Sequence, residues 1–282
     1  MNKLSSERRA AVIRCLVEGN SIRSTVRMTG AAKNTVAKLL VDSGEACREY
    51  QDRALRGLTS KRVQCDEMWS FVGCKEKSIP EGRREEDGIG DVWTWTAMDA
   101  DSKLMISWLV GERDAATAYD FIADLESRLA NRVQLTTDGL GTYLTAVENA
   151  FGSDIDFAQL VKLYGESPES EKRYSPAVCI AAEKHRVMGS PDPQYISTSY
   201  VERQNLTMRM SMRRFTRLTN AFSKKLENHA AAVSLHFMYY NFARPHQSLK
   251  EQPGVGRTPA MAAGIADHVW SVEEIVKLLD SN

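Results

Sequence analysis

The sequence carries no net charge, since 37 Lys and Arg side chains balance 37 Asp and Glu. Taken whole, that balance argues against a partner of one charge sign, nucleic acid above all. The sequence also has no apolar run near the roughly 18 residues a membrane-spanning helix requires. Met1 to Arg14 lacks the apolar stretch of a secretory signal, and a cytoplasmic protein is expected. Its five cysteines, an odd number with no CxxC pair, fit reduced thiols better than a disulfide framework. Cys65, Cys74, Cys179 and His185 lack the short paired spacing of a zinc site, so small buried residues are the better reading. There is no internal repeat and no low-complexity segment. What is present is a chain of 282 residues with 43% apolar side chains, enough for a sizeable core and about two domains.

The zero charge is a sum of unlike parts. Residues 1–62 hold 13 basic and 6 acidic side chains, residues 63–202 hold 13 and 25, and residues 203–282 hold 11 and 6. Two basic regions flank an acidic one. Nucleic acid therefore returns as a partner for the flanks, and the acidic centre calls for cations.

The first region reads as helices. Ser5 or Ser6 caps a helix with an apolar stripe of Ala10, Val12, Ile13, Leu16 and Val17, which Gly19-Asn20 ends. Ser21 starts a second helix that Gly30 breaks, and a third runs through Val36, Leu39 and Leu40 before Gly44. These are the lengths and punctuation of a helix-turn-helix, whose later helix reads base edges with its amino-terminal residues. Lys33, Asn34, Thr35 and Lys38 occupy that place, with Arg23 and Arg27 set to meet phosphates. Double-stranded DNA is the partner this predicts.

The central region changes period. Arg62 to Gly73, Val92 to Ala100 and Lys103 to Val110 are rich in Val, Trp, Phe and Thr and read as an antiparallel meander. A helix over 115–129, a strand over 133–137, a helix over 142–150 and a strand over 155–161 follow. Together they predict an α/β fold with a mixed sheet flanked by helices. The proline-bearing stretch Tyr164 to Ser199 reads as an irregular insertion. Ser199 then caps a helix with an apolar face of Val201, Met208, Met212 and Phe215, while Glu202, Asn205, Arg209 and Arg213 share another. Arg203 to Lys225 contains no acidic residue. A further helix over about 224–242 stops at Arg244-Pro245-His246, and Trp270 to Leu279 reads as a small amphipathic helix. Trp93, Trp95 and Trp108 are expected in the core, as are Tyr143, Tyr239 and Tyr240 unless they stack on bases. His246 reads as a structural residue and Arg244 as a DNA contact.

Three carboxylates stand out. Asp66 lies inside the first strand, where an ionised group is costly unless it is paired or binds a cation. Alternation sends Asp66 and Glu67 to opposite faces, so one of them at most is expected in a given site. Asp138 ends a strand directly before Gly139 and Gly141, and Glu202 lies on the first turn of the late helix. Oxygen donors from three distant segments suit Mg²⁺ or Mn²⁺. Two such ions about 3.5 to 4 Å apart stabilise both the attacking and the leaving oxygen of a phosphodiester displacement.

The stretches Cys65-Asp66-Glu67-Met68-Trp69-Ser70-Phe71-Val72, Thr137-Asp138-Gly139 and Tyr200-Val201-Glu202-Arg203-Gln204-Asn205 resemble the DDE transposases of bacterial insertion sequences, most closely the insertion sequence one family. Tyr240-Asn241-Phe242-Ala243-Arg244-Pro245-His246-Gln247-Ser248-Leu249 is similar to the carboxy-terminal signature of related transposases and integrases. The resemblance covers most of residues 62 to 262 and implies a ribonuclease H-like catalytic core. Asp66, Asp138 and Glu202 are then the catalytic and metal-binding triad and Arg209 contacts the end of the element, while the acid-free basic run by itself sets Arg209, Arg213 and Arg214 to meet the DNA backbone. It further implies terminal inverted repeats and target DNA as partners, two Mg²⁺ or Mn²⁺ ions, a homodimer or higher oligomer on DNA, and a nucleoid-associated location. The expected organisation is a helix-turn-helix domain over 1–60, a ribonuclease H-like domain over 61–262 with an insertion at 164–199, and a helical tail over 263–282. The alternatives are a DNA-binding regulator with an inactive core, or a nuclease on the same fold.

Overall fold

A computed structural model describes residues 4–83, 88–165, 179–216, 220–250 and 255–280. Helix α1 (Ser6–Val17) starts where Ser5 Oγ accepts from the Arg8 amide, and it buries Ala10, Val12, Ile13 and Val17. Ser21 caps α2 (Ile22–Thr29), which Gly30 ends at φ 67°, a left-handed conformation open to glycine at little cost. Helix α3 (Lys33–Ala54) departs from expectation by running straight through Gly44. That glycine faces α7 (Leu226–Met238), and a Cβ on it would overlap the Ala231 backbone. Gly44 thus marks a close helix crossing, and helix-breaking chemistry was the wrong explanation for it. The boundary expected near residue 60 follows a helix that is already fixed to the body: Gln51 Nε2 donates to the Ser234 carbonyl at 3.3 Å, and Asn241 Nδ2 donates to Gln51 Oε1 at 3.2 Å.

The centre is a mixed sheet of six strands flanked by helices. In chain order these are β1 (Arg62–Val72), β2 (Gly90–Asp99), β3 (Met105–Gly111), β4 (Gln134–Asp138), β5 (Asp156–Tyr164) and β6 (Cys179–Met188). Their spatial order is β3-β2-β1-β4-β5-β6. The first three form an antiparallel meander, β4 runs parallel to β1, and β5 runs parallel to β4. Helices α4 (Ala115–Arg128) and α5 (Thr142–Phe151) make the crossovers and cover one face. There Trp95, fully buried, packs its ring 5.9 Å from Phe121 and 5.4 Å from Tyr143. The other face takes α6 (Ser199–Ser211) and α7, with Val201, Met208, Val233 and Phe237 fully buried.

Strand β6 corrects the reading of 164–199 as irregular. It pairs antiparallel with β5 in register Lys162↔Ala182. No apolar alternation reveals it, because both its faces are largely exposed and Glu183, Lys184, His185 and Arg186 decorate it. Charge along an outer strand blocks edge-to-edge association. Pro168 and Pro176 lie outside the described residues.

The closing signature is structural. Tyr239–Ala243 form a π-turn after α7. Asn241 Oδ1 accepts from the Met105 amide at 3.0 Å and its Nδ2 donates to the Met105 carbonyl at 2.9 Å, so one side chain pairs with the backbone of β3, an outer strand of the sheet. Tyr240 donates to the Lys103 carbonyl at 3.1 Å. The His246 ring pairs with Ser248 Oγ at 2.9 Å, and among the described residues it bonds no helix carbonyl. Short helices α8 (Pro259–Ala262) and α9 (Val272–Lys277) follow, α9 with a capping box between Ser271 and Glu274. Arg9 pairs with Asp280 at 2.8 Å and Arg14 pairs with Glu273, so the amphipathic tail braces α1.

Candidate active site

Strand β1 carries Asp66 and Glu67 on opposite faces, as alternation requires. Asp66 Oδ2 accepts from Asn205 Nδ2 of α6 at 2.7 Å, and Oδ1 accepts from the Glu67 amide at 2.9 Å. Glu67 lies among the α4 and α5 side, where Oε1 accepts from Arg113 Nε at 2.8 Å and Oε2 from the Tyr143 hydroxyl at 3.3 Å. Asp138 stands at the end of β4 with Oδ1 accepting from the Leu140 amide at 3.0 Å. Ligand atoms of Asp66, Glu67 and Asp138 all fall within 4.8 Å of one another. The expectation that one at most of the two neighbouring acids belongs here is thus corrected: Asp138, at a strand end, is reached from both faces.

The turn behind Asp138 is braced from β5. Gln159 Nε2 donates to the carbonyls of Asp138 at 2.9 Å and Leu140 at 3.1 Å, and Gly139 lets the turn close onto Val161. Helix α6 is aimed from β1. The buried Gln64 offers Oε1 to the amides of Tyr200 at 2.9 Å and Val201 at 3.2 Å, satisfying donors that a helix start leaves open. One turn on, Glu202 meets Lys162 Nζ through Oε2 and the Thr198 hydroxyl through Oε1. Glu202 therefore stands beside the compact carboxylate group without being one of its members.

Burial and crowded like charge dominate the electrostatics. Burial, then the charges of Glu67, Asp138 and Glu202, push Asp66 up to about 7. Burial raises Asp138 and Glu67 as well, against the opposing pull of Arg113. Arg113 and Lys162 leave this cluster short of positive charge, and an all-oxygen donor set suits a hard divalent cation. Asn205 Oδ1, buried with no hydrogen-bond partner among the described residues, adds another oxygen beside Asp66.

The basic residues divide. Arg23, Arg27, Lys33, Asn34, Thr35 and Lys38 are exposed on α2 and the start of α3. Arg209 is exposed on α6, on the side of Glu202 and Asn205. Arg213 lies beyond the end of that helix, in a 3₁₀ turn, so the shared helical face stops short of it. Arg244 is exposed, with Nη1 3.3 Å from Ser211 Oγ. Arg214 turns inward, donating to Ser223 Oγ at 2.7 Å and the Asn228 carbonyl at 3.0 Å, and burial lowers it to about 10. It braces the neutral His229, which Ser70 and Ser223 hold and which burial lowers to about 3. Arg214 is thereby corrected from a backbone contact to an internal strut. Sequence reasoning gave no site role to Gln64, Arg113 or Lys162. Only the intrusion of polar residues into apolar strands marked Gln64 and Lys162, and nothing marked Arg113. Cys65, Cys74, Cys179 and His185 belong to no metal-ligand group among the described residues.

No protein-family model matches the chain. No curated protein matches it either. Among solved structures it is similar to the Mos1 transposase paired-end complex with left transposon end, at 14% identity and a TM-score of 0.24 over 56% of this chain and 60% of that one. It is similar to the piggyBac transposase synaptic complex with hairpin DNA, at 11% identity and a TM-score of 0.38 over 99% and 71%. It is also similar to the Mos1 strand transfer complex, at 12% identity and a TM-score of 0.25 over 83% and 78%. The chain thus spans about three-fifths of the first of these. Among the described residues no helix is long and apolar enough to cross a membrane.

Proposed function

We propose that this chain is a DNA transposase of the DDE type with a ribonuclease H-like core, binding terminal inverted repeats and carrying out divalent-ion-dependent strand cleavage and strand transfer. The observation that carries the reading is the approach of Asp66 and Asp138, from two strands distant in sequence, to within 4.8 Å of one another, with Glu202 standing beside them on a helix that also presents Arg209. A meander of three antiparallel strands joined to a parallel pair, with Asp66 on the central strand and Asp138 at the end of its parallel neighbour, supports it. The assignment to bacterial insertion sequences rests on the sequence motifs.

In this reading Asp66, Asp138 and Glu202 hold Mg²⁺ or Mn²⁺, and bound ions would offset the charge developing on the attacking and leaving oxygens. Asn205 fixes the Asp66 carboxylate through the 2.7 Å hydrogen bond. Arg113 neutralises Glu67, leaving the triad to Asp66, Asp138 and Glu202. Arg209, Arg213 and Arg244 meet the DNA backbone, and Lys33, Asn34, Thr35 and Lys38 read the major groove while Arg23 and Arg27 meet phosphates. Water cuts a strand at the element's end, and the freed 3′ hydroxyl attacks a target phosphodiester. Joining two ends calls for a dimer or higher assembly on DNA.

The test uses labelled DNA taken from either side of the reading frame, with Mg²⁺ or Mn²⁺. The wild-type chain should nick it, and Asp138→Asn should bind it equally well without nicking. Nicking by that variant at the wild-type rate would overturn the reading. Binding without ion-dependent nicking by the wild type would favour a regulator with an inactive core.

A further inference from the structure

Glu202 is needed at the triad, yet both its carboxylate oxygens are engaged elsewhere. Oε1 takes the Thr198 hydroxyl and Oε2 takes the Lys162 ammonium. A hydroxyl can stay in place when a carboxylate binds a cation. An ammonium on the ligating oxygen cannot, because it occupies the same lone pairs with the same sign of charge.

The position of Lys162 follows from strand register. Leu160 pairs with Asp138, so Lys162, two residues on, projects from the same face just beyond the end of β4. Pairing with Ala182 of β6 continues the strand at that point and anchors the Lys162 backbone. The side chain is 28% exposed and that of Glu202 37%, so a path to solvent is open. On the opposite flank Arg113 is committed to Glu67 and comes no nearer to Asp138 than 4.0 Å.

We propose that Lys162 is a built-in counter-cation of this site: its ammonium holds Glu202 aside in the ion-free protein, and a divalent cation engages Glu202 only by displacing it. The inference rests on the triad reading of the preceding section. A lysine suits this task better than an arginine, because a point charge on a flexible stem swings into water without breaking a bidentate fork. The device keeps the carboxylates from repelling one another while the ion is absent, at the expense of affinity when it arrives. A competitor present nine-tenths of the time reduces apparent affinity about tenfold.

The experiment measures Mn²⁺ binding to the full chain, without DNA, by electron paramagnetic resonance and calorimetry, and thermal melting in EDTA and in Mn²⁺. Lys162→Met should bind Mn²⁺ about tenfold more tightly than wild type, melt lower in EDTA, and gain more from Mn²⁺. Lys162→Arg should bind no more tightly than wild type. In a Glu202→Gln background the gain from Lys162→Met should vanish. Unchanged or weaker Mn²⁺ binding by a folded Lys162→Met, with Lys162→Gln as a second chance at a folded variant, would overturn the inference. If Asp138→Asn leaves Mn²⁺ binding untouched, the triad reading itself fails. If Asp138→Asn abolishes binding while Lys162→Met changes nothing, only the role of Lys162 fails.

Discussion

Gln64 caps the helix that begins beside Tyr200: its side-chain oxygen accepts the Tyr200 amide at 2.9 Å and the neighbouring Val201 amide at 3.2 Å. A residue of β1, two positions from Asp66, thereby sets where α6 starts and where Glu202 stands. Gln64→Ala should leave two amides at the helix start, that of Val201 buried and that of Tyr200 part-buried, without this acceptor. The cost is about 1 to 3 kcal/mol, seen as a lower melting temperature, and ion-dependent nicking should fall with it because Glu202 loses its alignment. Normal melting and normal nicking in that variant would show that α6 is positioned by its apolar face alone.

Gly44 is a packing residue inside α3. Gly44→Ala improves helix propensity by about 1 kcal/mol in isolation, yet here its Cβ would overlap the backbone of Ala231. The expected result is a net loss of about 2 kcal/mol or more as α3 and α7 separate, measured by denaturant unfolding. A stabilised variant would refute the close crossing.

Asp66 makes the ion-free protein sensitive to pH. Burial, then the neighbouring carboxylates, push its carboxyl up to about 7 in the folded chain, against 3.8 for a free aspartate side chain. Between those values the folded state holds a proton that the unfolded chain has released. Stability in EDTA therefore falls as pH rises through the window from about 4 to 7. Asp66→Asn removes this contribution, so the variant should melt above wild type at pH 8, by about 3 °C or more, and the gap should close toward pH 4. A gap independent of pH would exclude the crowded carboxylate as its cause. Protons compete with a divalent ion for the same oxygens, so Mn²⁺ affinity should weaken below about pH 7.

The exposed and inward arginines separate by salt dependence. Lys33→Ala and Arg23→Ala should each weaken DNA binding and reduce the slope of log affinity against log salt by about one. Arg214→Ala should leave that slope unchanged and lower the melting temperature, because the guanidinium supports Ser223 and the Asn228 carbonyl. A reduced slope for Arg214→Ala would return that residue to the DNA surface.

Local pattern determined much of this protein. The strands β1 to β5, the helices α1, α2, α4 and α5 and the apolar face of α6 follow from periodicity and caps, since each buries a face whose spacing is written in a single segment. Asp66 and Asp138 were legible for the same reason, as charges placed inside or at the end of apolar strands. Tertiary structure decided the rest. Gly44 reads as a stop until α7 lies against it, and β6 has no signature because an exposed edge strand buries neither face. Arg214 is indistinguishable in sequence from Arg213, although the fold turns one inward and leaves the other exposed. The Gln64 cap, the Arg113 pair with Glu67 and the Lys162 hold on Glu202 join residues 136, 46 and 40 positions apart. No periodicity extends over such separations. The sequence thus determined which residues can carry the chemistry, while the packing of α6 on β1 and of β5 beside β4 decided how they meet.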